Sequence, residues 1–443
     1  MMSRFSGSLL LLFVLVTAQT LYASTTPETL ARQATSADAS ESARAIAELR
    51  ELGPAGLETL RQVYASEINH QVANPLTPAT PEWQQLSLAL DTVSQQKDSY
   101  LSGLYWYTDL DQAKAAARAA GKPILSLRLL GKLNEEFSCA NSRFFRAILY
   151  SNEEVSNMLR EKFILHWQSV RPAPRVTIDF GDGRKLERTL TGNSIHYILD
   201  SAGYTVDALP GLYGPTAFLR ELTAIEGLLR QPANLQDGNR VQTISLYQRD
   251  RLNKLTLAWL ADVEKTGGKI PEGFVVSKRE DGTPEALRIK TLAITKMVTE
   301  ENILQRMTAG SEALERVTDR YTWERISVLH YSDNLLDERS TGLIRRQTQN
   351  ALRAEESEKT LDNALTRLVV KLQTNMAMDT VRNEYLMRTK LYAWLIADRG
   401  RSDLETLNKK VYAELFLTPA SDPWLGLFSP ETYVALDGGG IAR

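Results

Sequence analysis

Cysteine is almost absent: the 443-residue chain holds one, Cys139. That excludes an internal disulfide and any chemistry needing two thiols of one chain. Histidine is nearly as scarce, with four. His70 and His330 fall in helical regions without ligand-spaced partners, so neither a metal site nor a cofactor is expected. No charge excess exists either, since 52 Lys and Arg meet 54 Asp and Glu, and a basic surface for nucleic acid is excluded. Beyond the first residues no apolar run is long enough for a membrane-crossing helix.

What is present begins with Arg4, an apolar run from Leu9 to Val16, and a small, polar stretch ending Tyr22-Ala23-Ser24. The run is too short to span a bilayer, so residues 1–24 read as a cleaved signal peptide and the rest as a soluble periplasmic or secreted protein. Exported surroundings are oxidising, and an odd thiol there is either buried or reactive. The length exceeds one hydrophobic core and implies two or three domains.

Residues 25–100 read as an N-terminal helical arm. A helical stripe through Ile46 and Leu49 stops at Gly53-Pro54 and resumes through Leu57, Leu60 and Val63, which resembles one HEAT-type hairpin. After the polar stretch Asn74 to Pro81, another helix runs to about Gln96. From Leu104 the pattern changes: Thr108 or Asp109 caps a helix to Ala120, Gly121 ends it, and Pro123 opens an apolar strand to Leu130. A loop from Gly131 to Phe137 then delivers Ser138-Cys139-Ala140-Asn141-Ser142 to a helix reaching about Tyr150. Further strands are expected over Phe163 to Val170 and Ile195 to Asp200. A hairpin around Gly181-Asp182-Gly183 separates them, and a closing helix runs from Gly214-Pro215 to about Arg230.

This order over residues 101–230 resembles the thioredoxin fold. The fold class expected is an α/β thioredoxin-like central domain flanked by the helical arm and by a larger all-α C-terminal domain, residues 231–443. In that last region Pro271 to Pro284 reads as a loop. Leu361, Leu365, Leu368, Val369 and Leu372 form one core stripe, and Tyr392, Leu395 and Ile396 form the next. The proline-rich segment Thr418 to Pro430 is expected to bury Trp424 and Phe428 against its own domain or else to mark a partner site, and Gly438 to Gly440 leads into a tail. The whole chain is similar to exported bacterial proteins that join a thioredoxin-like module to a long helical region.

The resemblance makes Cys139 the site residue, and its place at a helix start favours thiolate over thiol. Arg143 and Arg146 follow within two turns. Two features depart from the family: Ser142 replaces the resolving cysteine, and Ser194 stands where a cis-proline is usual, next to Asn193. His196, two residues on and on the same strand face, is placed to approach Cys139. His166 reads as a core residue. Without a resolving thiol, a mixed disulfide at Cys139 needs an outside thiol for release. Dithiol oxidoreductase activity is thereby excluded. Two functions remain: a monothiol or client-binding module, or a redox-inactive scaffold of the cell envelope. The partner expected is a protein, and the free thiol also allows two chains to join through Cys139. Hydrolysis by Ser142 or Ser194 is set aside, because neither sits in a nucleophile elbow.

Overall fold

Side-chain caps set most helix starts. A computed structural model describes residues 26–190, 192–229, 239–270, 274–278, 284–289, 311–352, 358–398, 403–425, 435–436 and 441. Within them Asp38, Thr80, Asp109, Asn152 and Asp403 each accept a backbone N–H from the helix that follows. The expected signal peptide, Phe428 and Gly438 to Gly440 lie outside the described residues.

The arm comprises α1 Pro27–Gln33, α2 Ala39–Glu51, α3 Pro54–Val63, α4 Ala65–Ala73 and α5 Pro81–Ser94. Leu49, Leu57 and Leu60 are buried, as the stripe requires. A short helix, α6 Ser99–Ser102, leads to β1 Trp106–Tyr107 and α7 Leu110–Ala120. Then follow β2 Ile124–Leu130, α8 Ala140–Phe144 continued by a π-helical turn Phe145–Leu149, α9 Glu153–Lys162 and β3 Ile164–Arg171. The hairpin is β4 Arg175–Asp179 with β5 Lys185–Thr189, and β6 Ser194–Leu199, β7 Thr205–Pro210 and α10 Pro215–Leu229 complete the unit.

Five strands form one mixed sheet in the order β1-β3-β2-β6-β7. β1 and β2 run parallel to β3, whereas β6 runs antiparallel to β2 and to β7. Central β2 is buried at every residue, as a strand covered on both faces must be. Paired residues share a face, so the pairing assigns the two sides of the sheet. Leu125, Leu127, Ser194 and His196 face the run Ala140–Leu149 and α10. Ser126, Arg128, His166 and Tyr197 face the other way.

On that second face the C-terminal region meets the sheet. α7 covers only part of it, and the helix Leu404–Lys410 supplies the rest: Arg128 donates to Glu405 and Tyr197 to Asn408. The connection from β3 to β6 carries the β4–β5 hairpin, and the C-terminal region contributes cover to the sheet. α11 Arg240–Lys265 lies along edge strand β7, where Gln248 donates to the Val206 carbonyl and Tyr247 to Asp207.

The C-terminal region is not all-α. Phe274–Lys278 and Pro284–Ile289 pair as an antiparallel hairpin, β8 and β9; the first lies inside the stretch expected to be a loop and the second starts at its last residue. β-branched and apolar residues in Phe274–Lys278 and Pro284–Ile289 suit a paired ribbon. The helix Glu358–Arg382 continues through a π-helical turn Asn383–Arg388 into Thr389–Asp398, so the two expected stripes lie on one helical run. Leu365, Tyr392, Leu395 and Ile396 are buried, but Leu368 is exposed. Trp424 is 44% exposed, contrary to its expected burial, and Leu425 beside it is buried instead.

Candidate functional site

The chain leaves β2 at Leu130 and returns to the same carbonyl nine residues later: the Cys139 N–H donates to Leu130 O at 3.0 Å. Gly131 permits this closure. Its φ is +76°, and a Cβ there would stand 3.0 Å from the Ser138 Cα. Arg146 braces the loop by donating to the carbonyls of Leu133 at 3.0 Å and Glu135 at 2.6 Å. Burial lowers its guanidinium pKa. Arg143 turns to the hairpin, donating to the Thr189 hydroxyl at 2.9 Å, which in turn donates to Ser138 O at 3.1 Å. Both guanidinium groups are thus engaged by loop and hairpin acceptors.

Cys139 is fully buried, and its Sγ lies 3.1 Å from Ser194 Oγ, also fully buried. Ser142 Oγ donates back to the Cys139 carbonyl at 3.0 Å, so it is engaged by the main chain rather than by the thiol. Ser138 Oγ is buried without a hydrogen-bond partner. The peptide bonds of the described chain, including those around Ser194, are all trans. Asn193 faces outward from the sheet end: its amide donates to Thr418 Oγ1 at 3.0 Å, and its carbonyl accepts from the Tyr412 hydroxyl at 3.1 Å. Burial, with Cys139 as a secondary influence, holds the Tyr412 phenol well above its usual range.

His196 does not join the thiol. Its Nε2 pairs with the Tyr150 hydroxyl at 2.7 Å, and its ring lies against Phe145 and Phe218, with centroids 4.5 and 5.1 Å away. Burial pushes the imidazole down to about 3, which keeps it neutral, and Nδ1 has no protein partner. The aromatic packing and the Tyr150 hydrogen bond decide where the ring sits. Of the six predicted site residues, the structure brings Cys139 and Ser194 into contact, with Ser142 and Asn193 on the adjoining backbone. His196 and Arg143 are engaged elsewhere.

Two polar clusters escaped sequence reasoning. On the second sheet face His166 Nδ1 lies 2.9 Å from Ser126 Oγ, and Arg128 Nη1 donates to that same oxygen at 3.0 Å. All three side chains are buried. Burial, then the arginine charge, takes His166 down to about 3, so its neutral imidazole is too weak a base to draw the Ser126 proton. Arg128 gives no periodic signal, because one polar residue inside an apolar strand reads as noise.

The other cluster joins Asp207 and Glu221 to Arg388, Tyr247 and Tyr392. It continues through Arg220 to Glu384 and Asp333, and His330 pairs with Asp262 at 2.6 Å. Hydrogen bonds to Asp262 and Asp333 raise His330 to about 9, so it is a cation at neutral pH. Among the described residues no group of three His, Cys, Asp or Glu is arranged to hold a metal. No described helix is long and apolar enough to cross a membrane.

A cavity of about 540 Å³ lies between α7, α11 and Leu404–Lys410, with Lys114, Tyr204, Trp394 and Lys410 on its walls. None of the six predicted residues lines it. No family model, no curated protein and no solved structure matches the chain.

Proposed function

We propose that this chain is an exported thioredoxin-like module that binds a protein client and can hold it as a mixed disulfide through one thiol. The observation that carries the reading is the 3.1 Å contact between Cys139 Sγ and Ser194 Oγ, which joins two segments 55 residues apart. The strand order β1-β3-β2-β6-β7, with the cysteine between the central strand and a helical run, supports the thioredoxin-like part. In the reaction, the Cys139 thiol loses its proton and the thiolate attacks one sulfur of a client disulfide. A new S–S bond forms, the old one breaks, and the departing client sulfur carries the electron pair and takes up a proton. An external thiol of the glutathione class then releases the client, since Ser142 cannot act as resolving residue. The Ser194 hydroxyl is placed to donate to the thiolate, and Asn193 borders the surface a client backbone would meet.

A second reading, a redox-inactive scaffold, is favoured by the complete burial of Cys139. The rate of iodoacetamide alkylation of the folded protein against pH, read by intact mass, separates the two. Labelling that switches on well below ~8.5, ordinary for a thiol, supports the nucleophile. Labelling only on global unfolding supports the scaffold, and also removes the disulfide-linked dimer through Cys139.

A further inference from the structure

The segment after the last π-helical turn, Val411–Leu415, runs back over the cysteine end of the sheet. It is held at two places. On one side Thr418 Oγ1 accepts from the Asn193 amide at 3.0 Å, and Thr418 N donates to Tyr412 O at 2.8 Å. On the other, Arg171 at the end of β3 donates to the carbonyls of Thr418 at 3.1 Å and Asp422 at 3.0 Å. Asn193 precedes Ser194, and Arg171 pairs with Leu130, the residue whose carbonyl receives the Cys139 N–H. The segment therefore spans both backbone flanks of the thiol.

Its attachment differs from that of the helix before it. Leu404 and Leu407 on that helix, and Val411 at the start of the turn, are buried. Beyond them, Leu417 is 73% exposed and Trp424 is 44% exposed, so these apolar side chains gain little where they lie. Leu417 and Leu425 have φ of +54° and +57°, the left-handed region that disfavours residues with a Cβ. Phe416, against the Tyr412 ring at 5.2 Å, and buried Leu425 hold its two ends, while its strained middle is attached by the polar contacts of Thr418 and Asp422.

We propose that Phe416–Leu425 is an autoinhibitory strap over the Cys139–Ser194 pair, occupying the place of an extended client segment. Asn193 and Arg171 now serve the strap's Thr418 and Asp422. They serve a client's backbone once the strap lifts, so client docking and exposure of the thiol are one event. The inference rests on the single-thiol reading for what happens to the exposed sulfur, but not for the strap itself.

The test is the iodoacetamide labelling rate of Cys139 in the full signal-free chain at fixed pH, followed through non-denaturing urea concentrations. In the wild type, labelling is expected to depend only weakly on urea, because lifting ten residues exposes little surface. Thr418→Val with Arg171→Gln removes the side-chain fasteners and should speed labelling about tenfold, as expected for the loss of roughly one net hydrogen bond or more. Leu417→Gly relieves the left-handed strain and should slow labelling about threefold. Equal rates in all three proteins, or a urea dependence in each as steep as that of global unfolding, would overturn the strap. If the double variant labels faster yet takes up no glutathione from glutathione disulfide, the strap stands and the exchange chemistry falls.

Discussion

Arg388 and Asp207 form an ion pair 2.7 Å long that solvent does not reach from either side. Asp207 belongs to edge strand β7 and Arg388 to the π-helical turn of the C-terminal region, 181 residues later. Tyr247 and Tyr392 donate to the same carboxylate at 2.6 and 2.7 Å, and Arg388 also reaches Glu221 on α10. With every carboxylate oxygen served, the pair escapes the penalty of a lone buried charge. Its effect is to fasten the sheet edge to one arrangement of the helices around it.

Replacing Arg388 with methionine fills similar space but leaves Asp207 buried without its cation, while Glu221 keeps Arg251. A loss of about 3–5 kcal/mol is expected, since breaking one side of a buried pair leaves an uncompensated charge. Urea denaturation checks this. Asp207→Asn in the Arg388→Met background should recover part of the loss, because the orphaned charge at β7 is then gone.

Residues 101–230 should not fold alone. Without Leu404–Lys410 and α11, Arg128 loses Glu405, Tyr197 loses Asn408, and much of the second sheet face opens to water. Expression of that fragment should give a species lacking near-ultraviolet circular dichroism, whereas residues 25–443 should show a single cooperative transition. A fragment with dispersed amide resonances would show the helices to be dispensable.

Stability should fall in mild acid. His166 and His196 titrate at about 3 in the folded protein against about 6.5 when unfolded, so each contributes stability above pH 6.5 that is lost as the pH falls towards 3. Asp91 opposes them. Desolvation first, then Asp98, raises it to about 6, so its effect favours the folded state below 3.8 and is lost as the pH rises through 6. Glu384 and Asp379, also raised by burial, act with Asp91, whereas Glu221, Asp262 and Asp333, held low by their cationic partners, join the histidines in losing stability as the pH falls. His330, raised to about 9, adds stability below pH 6.5 that fades as the pH climbs through 9. Urea midpoints from pH 4 to 9 should trace a maximum near neutrality, and His196→Phe should flatten the acid limb. An acid limb unchanged in that variant would refute the assignment.

Much of the local structure was legible. Gly53-Pro54 marks the break between α2 and α3, Asp109 and Gly121 bound α7, and the Gly181-Asp182-Gly183 turn sits in its hairpin. Each of these depends on neighbours within a few residues, where backbone preference and capping act. The site was legible only as a juxtaposition of Cys139 with the Ser194 loop. The same spacing argument set His196 towards the thiol, and it failed because a period-two rule gives a face but not a hydrogen-bond partner. Tyr150 took the ring. Trp424 was expected inside on composition alone, yet the backbone turn places Leu425 there.

By itself the sequence determined the chemical limits: one thiol and no resolving partner. It also determined the elements whose signals are local, namely the arm helices, the buried central strand and the helical run after Cys139. Tertiary structure alone decided that the C-terminal helices close the second face of the sheet. It alone decided that Arg388 neutralises Asp207, and that Thr418 and Tyr412 lie over the cysteine end. These contacts join residues more than 150 positions apart, and burial is a property of what packs on a residue rather than of its neighbours in the chain.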